Sequence, residues 1–126
     1  MQRFLLICFA GAAGTGARYL VALWTAQRFG SAFPYGTLLV NVVGCFLIAL
    51  IMHLAMINAW PATLRAALTV GFLGGFTTYS SFNYETTRLL EEGAVASALL
   101  NVVSTLGAGF TAGMIGLLLA RQLAGR

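Results

Sequence analysis

The chain has 126 residues, of which 60% are hydrophobic and only 8% are charged, and its net charge is +4. So few polar residues cannot cover the surface of a soluble domain of this size, and the composition predicts an integral membrane protein. The positive charge consists of scattered arginines and not of a basic cluster, so it gives only weak support to nucleic-acid binding, and no nucleic-acid partner is expected.

Four membrane spans fit the distribution of charged residues, because one transmembrane helix needs about 20 mainly apolar residues. We place them near residues 4–25, 36–57, 62–86 and 94–120. Little of the chain remains for a soluble part, so we expect an all-α protein with a single transmembrane domain, residues 1–126.

The arginines give little instruction about membrane orientation. With four spans, one side carries Arg3, Arg65, Arg121 and Arg126, and the other carries Arg28 and Arg88, with Arg18 added if it reaches that side. Because positive charge in short loops normally sets orientation, this small bias predicts insertion in both orientations and antiparallel pairing of two copies. A single orientation set by Arg3 is the equal alternative.

The first span carries small residues four apart, Ala10 with Gly14 and Ala13 with Ala17. This spacing lets two membrane helices approach closely. Arg18 lies near the end of the span, where it either extends to the headgroups or gives positive potential to an aqueous vestibule.

The second span is apolar apart from Thr37 and Asn41 at its start. A buried asparagine amide needs hydrogen-bond partners. Asn41 therefore either joins two helices or donates an N–H to a permeating anion.

The third span contains a charge-free stretch, residues 66–84, with Gly75 at its centre. Paired glycines followed by two threonines weaken a helix, so we expect a break centred on Gly75, near the bilayer midplane. Interrupted helices at this depth are where transport proteins place ion sites.

The fourth span has polar side chains three and four residues apart, which predicts a wetted stripe on one face: Ser97, Asn101, Ser104 and Thr105. Gly109 and Gly113 follow it, with the spacing of a helix-packing pair.

No catalytic constellation is present in the sequence. The chain has one histidine, no carboxylate expected inside the membrane and no phosphate loop with a lysine, so it lacks the groups for acid-base, nucleophilic, metal or nucleotide chemistry. Neutral hydrogen-bond donors and aromatic edges under a positive potential remain. They favour weak, multiple sites for a small anion, and the chain is not expected to be an enzyme.

Three segments closely resemble the signature segments of the Fluc-type (CrcB) fluoride channels: GFLGGFTTYSSF at 71–82, GTLLVN at 36–41 and GARY at 16–19. The resemblance covers essentially the whole chain. It implies four helices with a break in the third, an antiparallel dual-topology homodimer with two pores, and passive export of fluoride across the cytoplasmic (inner) membrane. The implied partners are a second copy, fluoride and the bilayer, with no nucleic acid.

The resemblance also implies roles for individual residues. Tyr79 and Phe82 match the two aromatic residues whose ring edges line the fluoride path, and Arg18 matches the vestibule arginine. The other expected pore residues are Thr37, Asn41, Ser80, Ser81 and Thr105. Backbone carbonyls of Gly74 and Thr77 match a structural sodium site at the dimer interface.

The chain departs from the family pattern at four positions. Tyr79 replaces the usual phenylalanine and adds a hydroxyl, Ser81 replaces the usual threonine, Asn83 follows the second aromatic where a serine is common, and Gly109 stands where a hydroxyl can occur.

Two other classes of protein fit part of the pattern. A small multidrug-type, proton-coupled exporter also has four spans, but it needs a carboxylate in the first span; this chain has none there, and Arg18 would repel cationic substrates. A subunit that serves only assembly would explain Gly109 and Gly113, but not a central break rich in hydroxyls and aromatics.

Overall fold

The computed structural model describes residues 1–125, which are helical and contain no β-strand. Three long helices are α1 (Gln2–Phe29), α2 (Tyr35–Ile57) and α6 (Val95–Leu123). The segment between α2 and α6 is divided into α3 (Ala62–Ala66), a π-helical stretch (Ala67–Leu73), α4 (Gly74–Phe76) and α5 (Tyr79–Glu91). The all-α class is therefore confirmed.

Within residues 1–125, α1, α2 and α6 are long and apolar enough to cross a membrane. These are the first, second and fourth of the expected spans. α1 is longer than expected at both ends, α2 begins one residue earlier, and α6 begins one residue later and ends three residues later. The third expected span is not one such helix, because a break divides it into two helical parts.

Two helices end at a glycine with positive φ, one before the break and one after it. Gly30 follows α1 with φ of 80°, and Gly93 follows α5 with φ of 76°. After α5, the N–H of Gly93 bonds the carbonyl of Leu90, and the N–H of Ala94 bonds that of Leu89 at 2.8 Å. This pair of bonds is the Schellman motif, for which glycine is the usual residue.

The break does not lie at the glycines, so the expectation that it centres on Gly75 is wrong. Gly74 has helical dihedrals, φ −62° and ψ −38°, and α4 includes both glycines. Gly75 serves close packing instead. A methyl group on Gly75 would collide with the carbonyl oxygen of Gly11 and lie 3.0 Å from the Thr15 hydroxyl, and one on Gly14 would collide with the carbonyl oxygen of Phe72.

Close packing at glycines also joins α2 to α6. A methyl group on Gly116 would collide with the carbonyl oxygen of Phe46, and one on Gly109 would lie 3.4 Å from the Cys45 sulfur. The close-packing role expected of small residues in the first and fourth spans is thus confirmed, and it fixes the scaffold on which the break is held.

Candidate functional site

The break consists of Thr77 and Thr78, both in extended conformation. Their φ and ψ are −91° and 159° for Thr77 and −154° and 121° for Thr78. The N–H of Thr77 still bonds the carbonyl of Leu73 at 2.9 Å. Extended backbone cannot continue the helical hydrogen-bond pattern beyond it, so the remaining backbone polar groups need other partners.

Asn41 of α2 supplies two of those partners. Its Oδ1 accepts the N–H of Thr78 at 2.8 Å, and its Nδ2 donates to the carbonyl oxygen of Thr78 at 2.9 Å. The carboxamide thus imitates a paired strand for one residue of the break. Of the two roles open to Asn41 from the sequence, the structure shows the joining of two segments; one amide N–H has no partner among the described residues.

One turn farther along α2, Gly44 makes room for Thr77. The Thr77 methyl lies where a side chain on Gly44 would be, while its hydroxyl donates to the carbonyl of Leu73 at 2.8 Å. Asn41 and Gly44 therefore hold the two residues of the break against α2.

Thr78 also begins α5. Its Oγ1 accepts the backbone N–H of Ser81 at 3.2 Å, as expected of a threonine at a helix N-terminus, and donates to the Ser81 hydroxyl at 3.1 Å. The Ser80 hydroxyl lies 3.3 Å from the same oxygen. Thr78 was not among the predicted site residues, although a threonine directly before a helix is a candidate N-cap.

These hydrogen bonds draw donors away from two backbone carbonyls. In a continuous α-helix, the N–H of Thr78 would bond the carbonyl of Gly74, and the N–H of Ser81 would bond that of Thr77. Here the first goes to Asn41 and the second to the Thr78 side chain. Both carbonyls expected at a sodium site are therefore among those that lose their α-helical donors at the break.

A cleft of about 480 Å³ lies beside the first turns of α5. The end of α1, the start of α2, α5 and the loop between α1 and α2 enclose it, and its lining residues include Thr25, Ser31, Thr37, Ser80, Ser81, Tyr84, Glu85 and Arg88. Among the predicted pore residues, the structure brings Thr37, Ser80 and Ser81 together here. Asn41, Tyr79, Phe82 and Thr105 do not line this cleft.

Glu85 is the main residue of the cleft that sequence reasoning missed, since it was taken only as the end of a charge-free stretch. Its Oε1 accepts the Thr37 hydroxyl at 2.8 Å, and its Oε2 is buried with no partner among the described residues. Ser81, Glu85 and Arg88 are four and three residues apart, and this spacing on one helix face was the signal that could have found it.

The two predicted aromatic residues lie on α5 with very different exposure. Tyr79 is 77% exposed and Phe82 only 8%. Their ring centroids are 5.8 Å apart with planes at 51°. The pair therefore runs from the surface of the single chain into its interior.

Two further predicted residues lie away from the cleft. Arg18 is half-buried on α1, one turn beyond Gly14 and so on the face that packs against residues 67–76. Thr105 lies on α6, and its Oγ1 is buried without a hydrogen-bond partner among the described residues.

Known proteins match this chain over nearly its whole length. Residues 5–117 match the family described as CrcB-like protein, Camphor Resistance (CrcB). A fluoride-specific ion channel FluC of Anaeromyxobacter sp. (strain K) is 50% identical over 99% of this chain and 100% of its own length. Proteins of the same name from Sorangium cellulosum and Citrifermentans bemidjiense are 49% and 48% identical over 98% of this chain, and the matches cover 98% and 100% of their respective lengths.

Proposed function

The chain belongs to the CrcB family, whose members are ion channels and not enzymes, and we propose that it is a fluoride channel that passively exports fluoride across the cytoplasmic (inner) membrane. The observation that carries the proposal is the break at Thr77 and Thr78. It assembles hydroxyls, an amide and two aromatic rings around the start of one helix, in a chain whose long helices are suited to a membrane.

The proposed path begins at the first turn of α5. The N-terminus of a helix carries partial positive charge, and the Ser80 and Ser81 hydroxyls add donors for a small anion there. The edges of the Tyr79 and Phe82 rings carry partial positive charge as well. Several weak sites of this kind allow rapid passage, because no single site holds the ion strongly.

The other proposed pore residues support or extend this path. Thr37 contributes a hydroxyl in the cleft, Thr105 a hydroxyl on α6, and Asn41 the amide N–H that Thr78 does not use. Arg18 gives positive potential to the vestibule. Each of these groups is neutral or cationic, and the Thr37 hydroxyl also holds the one carboxylate among the described residues that lines the cleft, Glu85.

We propose further that the functional unit is an antiparallel homodimer. Tyr79 and Gly74 are both exposed in the single chain, so a second copy has access to the break. Carbonyl oxygens suit a hard cation such as sodium, and the carbonyls of Gly74 and Thr77 are both without their α-helical donors. Two carbonyls are too few ligands for such an ion, and a second copy would double them.

Orientation in the membrane is tested by labelling single cysteines placed near each terminus. The dual-topology proposal expects reaction from both faces of the membrane, in about equal amounts. Reaction from one face only would contradict it without affecting the channel proposal.

The function itself is tested by ion efflux from proteoliposomes that contain the purified protein. We expect fluoride to leave down its gradient, with no proton gradient required, while chloride stays inside. A proton-coupled exporter of cations, the alternative from the sequence, would instead need a pH gradient and would not move fluoride. Absence of fluoride-selective efflux would overturn the proposal.

A further inference from the structure

Asn101 of α6 is linked to the backbone of Phe82 through one intermediate side chain. Its Nδ2 donates to the Thr86 hydroxyl at 2.9 Å, and that hydroxyl donates to the carbonyl oxygen of Phe82 at 2.7 Å. Thr86 therefore acts as acceptor on one side and donor on the other. This chain of two hydrogen bonds fixes which amide atom faces Thr86, since the Thr86 proton is already used.

Burial of the Asn101 side chain is unfavourable to the stability of the fold. The side chain is fully buried, at 0% exposure, and its Oδ1 has no hydrogen-bond partner among the described residues. An unsatisfied buried acceptor destabilises a fold, whereas an apolar residue of similar shape would not. Packing and stability alone therefore do not explain an asparagine here, and the bond to Thr86 is the interaction it provides.

The bond between Asn101 and Thr86 joins α6 to the buried face of α5, and the packing of that face determines how α5 is rotated about its axis. Phe82, Thr86 and Leu89 lie on one side of α5 at spacings of four and three, and Phe82 and Leu89 are buried. Apolar contacts are non-directional, so they permit small rotations of the helix about its axis. A hydrogen bond between Asn101 and Thr86 has a defined length and direction and restricts that rotation.

We propose that Asn101 is a positioning residue for the anion path, which holds the Phe82 ring in register through Thr86. The inference rests on the proposed function, because it assigns the ring of Phe82 to that path. Asn101 need not contact the ion. Its effect is on the orientation of α5, and so on fluoride flux and on selectivity over chloride.

The test compares Asn101→Leu with the wild-type protein in both thermal stability and proteoliposome flux. Asn101→Leu removes the unsatisfied acceptor, so we expect the melting temperature to be unchanged or higher. We expect fluoride flux per folded dimer to fall by about tenfold, because a site that is loose by a fraction of an ångström loses much of its function. A purely structural asparagine would give the reverse: lower stability and normal flux per folded protein.

A second pair of variants tests the same link from Thr86. Thr86→Val keeps the shape and removes the hydroxyl, and we expect a loss of flux similar to that of Asn101→Leu; Thr86→Ser keeps the hydroxyl and should restore most of it. The double variant Asn101→Leu/Thr86→Val should be no worse than the poorer single variant, because both changes break one link.

Thr87→Val is the matched control. The Thr87 hydroxyl bonds the carbonyl of Asn83 within α5 at 3.0 Å and makes no bond to α6, so we expect wild-type flux. Additive losses in the double variant, or normal flux in Asn101→Leu, would overturn the positioning role while leaving the channel proposal intact. Failure of the wild-type protein to conduct fluoride would overturn both.

Discussion

The carboxamide of Asn41 pairs with both backbone polar groups of Thr78, accepting its N–H at 2.8 Å and donating to its carbonyl at 2.9 Å. Thr78 is only 8% exposed, so water does not readily replace this partner. A buried extended residue in a membrane protein must have its backbone satisfied by protein or by a polar cavity. In this chain one side chain of α2 satisfies both groups.

Replacing Asn41 with leucine should therefore destabilise the break. The change leaves the N–H and the carbonyl of Thr78 without partners, at a cost of about 1–3 kcal/mol for each group. We expect a lower melting temperature in detergent and loss of fluoride flux, measured by unfolding and by proteoliposome efflux.

Asn58→Ala is a suitable control for that change. Asn58 is an exposed asparagine whose Nδ2 bonds the carbonyl of Leu54 at 2.8 Å at the end of α2. Its removal should change stability by about 0.5 kcal/mol or less. Equal stability of Asn41→Leu and the wild type would show that the amide does not hold the break.

Gly44→Ala should displace the break from α2, because the new methyl would occupy the position of the Thr77 methyl. We expect loss of stability and of flux. Thr77→Ser removes the Thr77 methyl but keeps the hydroxyl that bonds the carbonyl of Leu73. The double variant Gly44→Ala/Thr77→Ser should therefore regain most of the lost stability and most of the lost flux. The absence of any rescue would contradict the contact between Gly44 and the Thr77 methyl.

The sequence predicted that a break exists in the third span, but not where it lies. The composition of residues 66–84 indicates a weakened helix, and intrinsic propensity puts the weakest point at Gly74 and Gly75. Both glycines remain helical, and at Gly75 packing overrides propensity, because the lack of a side chain there lets α1 approach. The break lies instead where Asn41 offers an alternative partner to Thr78. That partner is 37 residues away along the chain, so local reasoning could not supply it.

The contacts of the site residues on α5 also divide into those that local spacing predicts and those that depend on how the helices pack. Tyr79 and Phe82 are three residues apart on one helix, and this local spacing brings their rings into contact. The contact of Glu85 with Thr37 links residues 48 positions apart and depends on how α2 and α5 pack. Asn101 was recognised as part of a polar stripe, but its link to Thr86 requires the arrangement of α5 and α6.

The bond between Thr37 and Glu85 predicts a difference between two small substitutions. Thr37→Val removes the hydroxyl and frees the carboxylate to turn into the cleft, where its charge repels an anion. We expect fluoride flux to fall by about fivefold or more, since a hydrogen bond to a charged group contributes about 1.5–3 kcal/mol. Thr37→Ser keeps the bond and should conduct within about twofold of the wild type. Equal flux in both variants would remove this bond from the mechanism.

Phe82→Ile should abolish fluoride flux, because isoleucine fills much of the buried space but has no ring edge with partial positive charge. Phe82 is 8% exposed and contributes to the core, so the assembly state of the variant must be compared with that of the wild type by size-exclusion chromatography. Phe72→Ile is the comparison: Phe72 stacks on Phe76 at 5.9 Å and is not among the proposed pore residues. Normal flux in Phe82→Ile with the assembly state of the wild type would exclude the aromatic path.

The hydroxyl of Tyr79 distinguishes this chain from the usual family pattern. A variant that lacks only this oxygen atom tests the role of the hydroxyl. Tyr79 is 77% exposed, and its hydroxyl makes no hydrogen bond within the described residues, so it is free to donate to fluoride or to hold a water beside it. Tyr79→Phe keeps the ring and its edge, so we expect a conducting channel with apparent fluoride affinity weakened by about fivefold, the loss of one modest hydrogen bond. Tyr84→Phe is the control, because Tyr84 is an exposed tyrosine of the same helix outside the aromatic pair. Unchanged affinity and flux in Tyr79→Phe would mean that the ring alone serves the path and that the hydroxyl has no part in it.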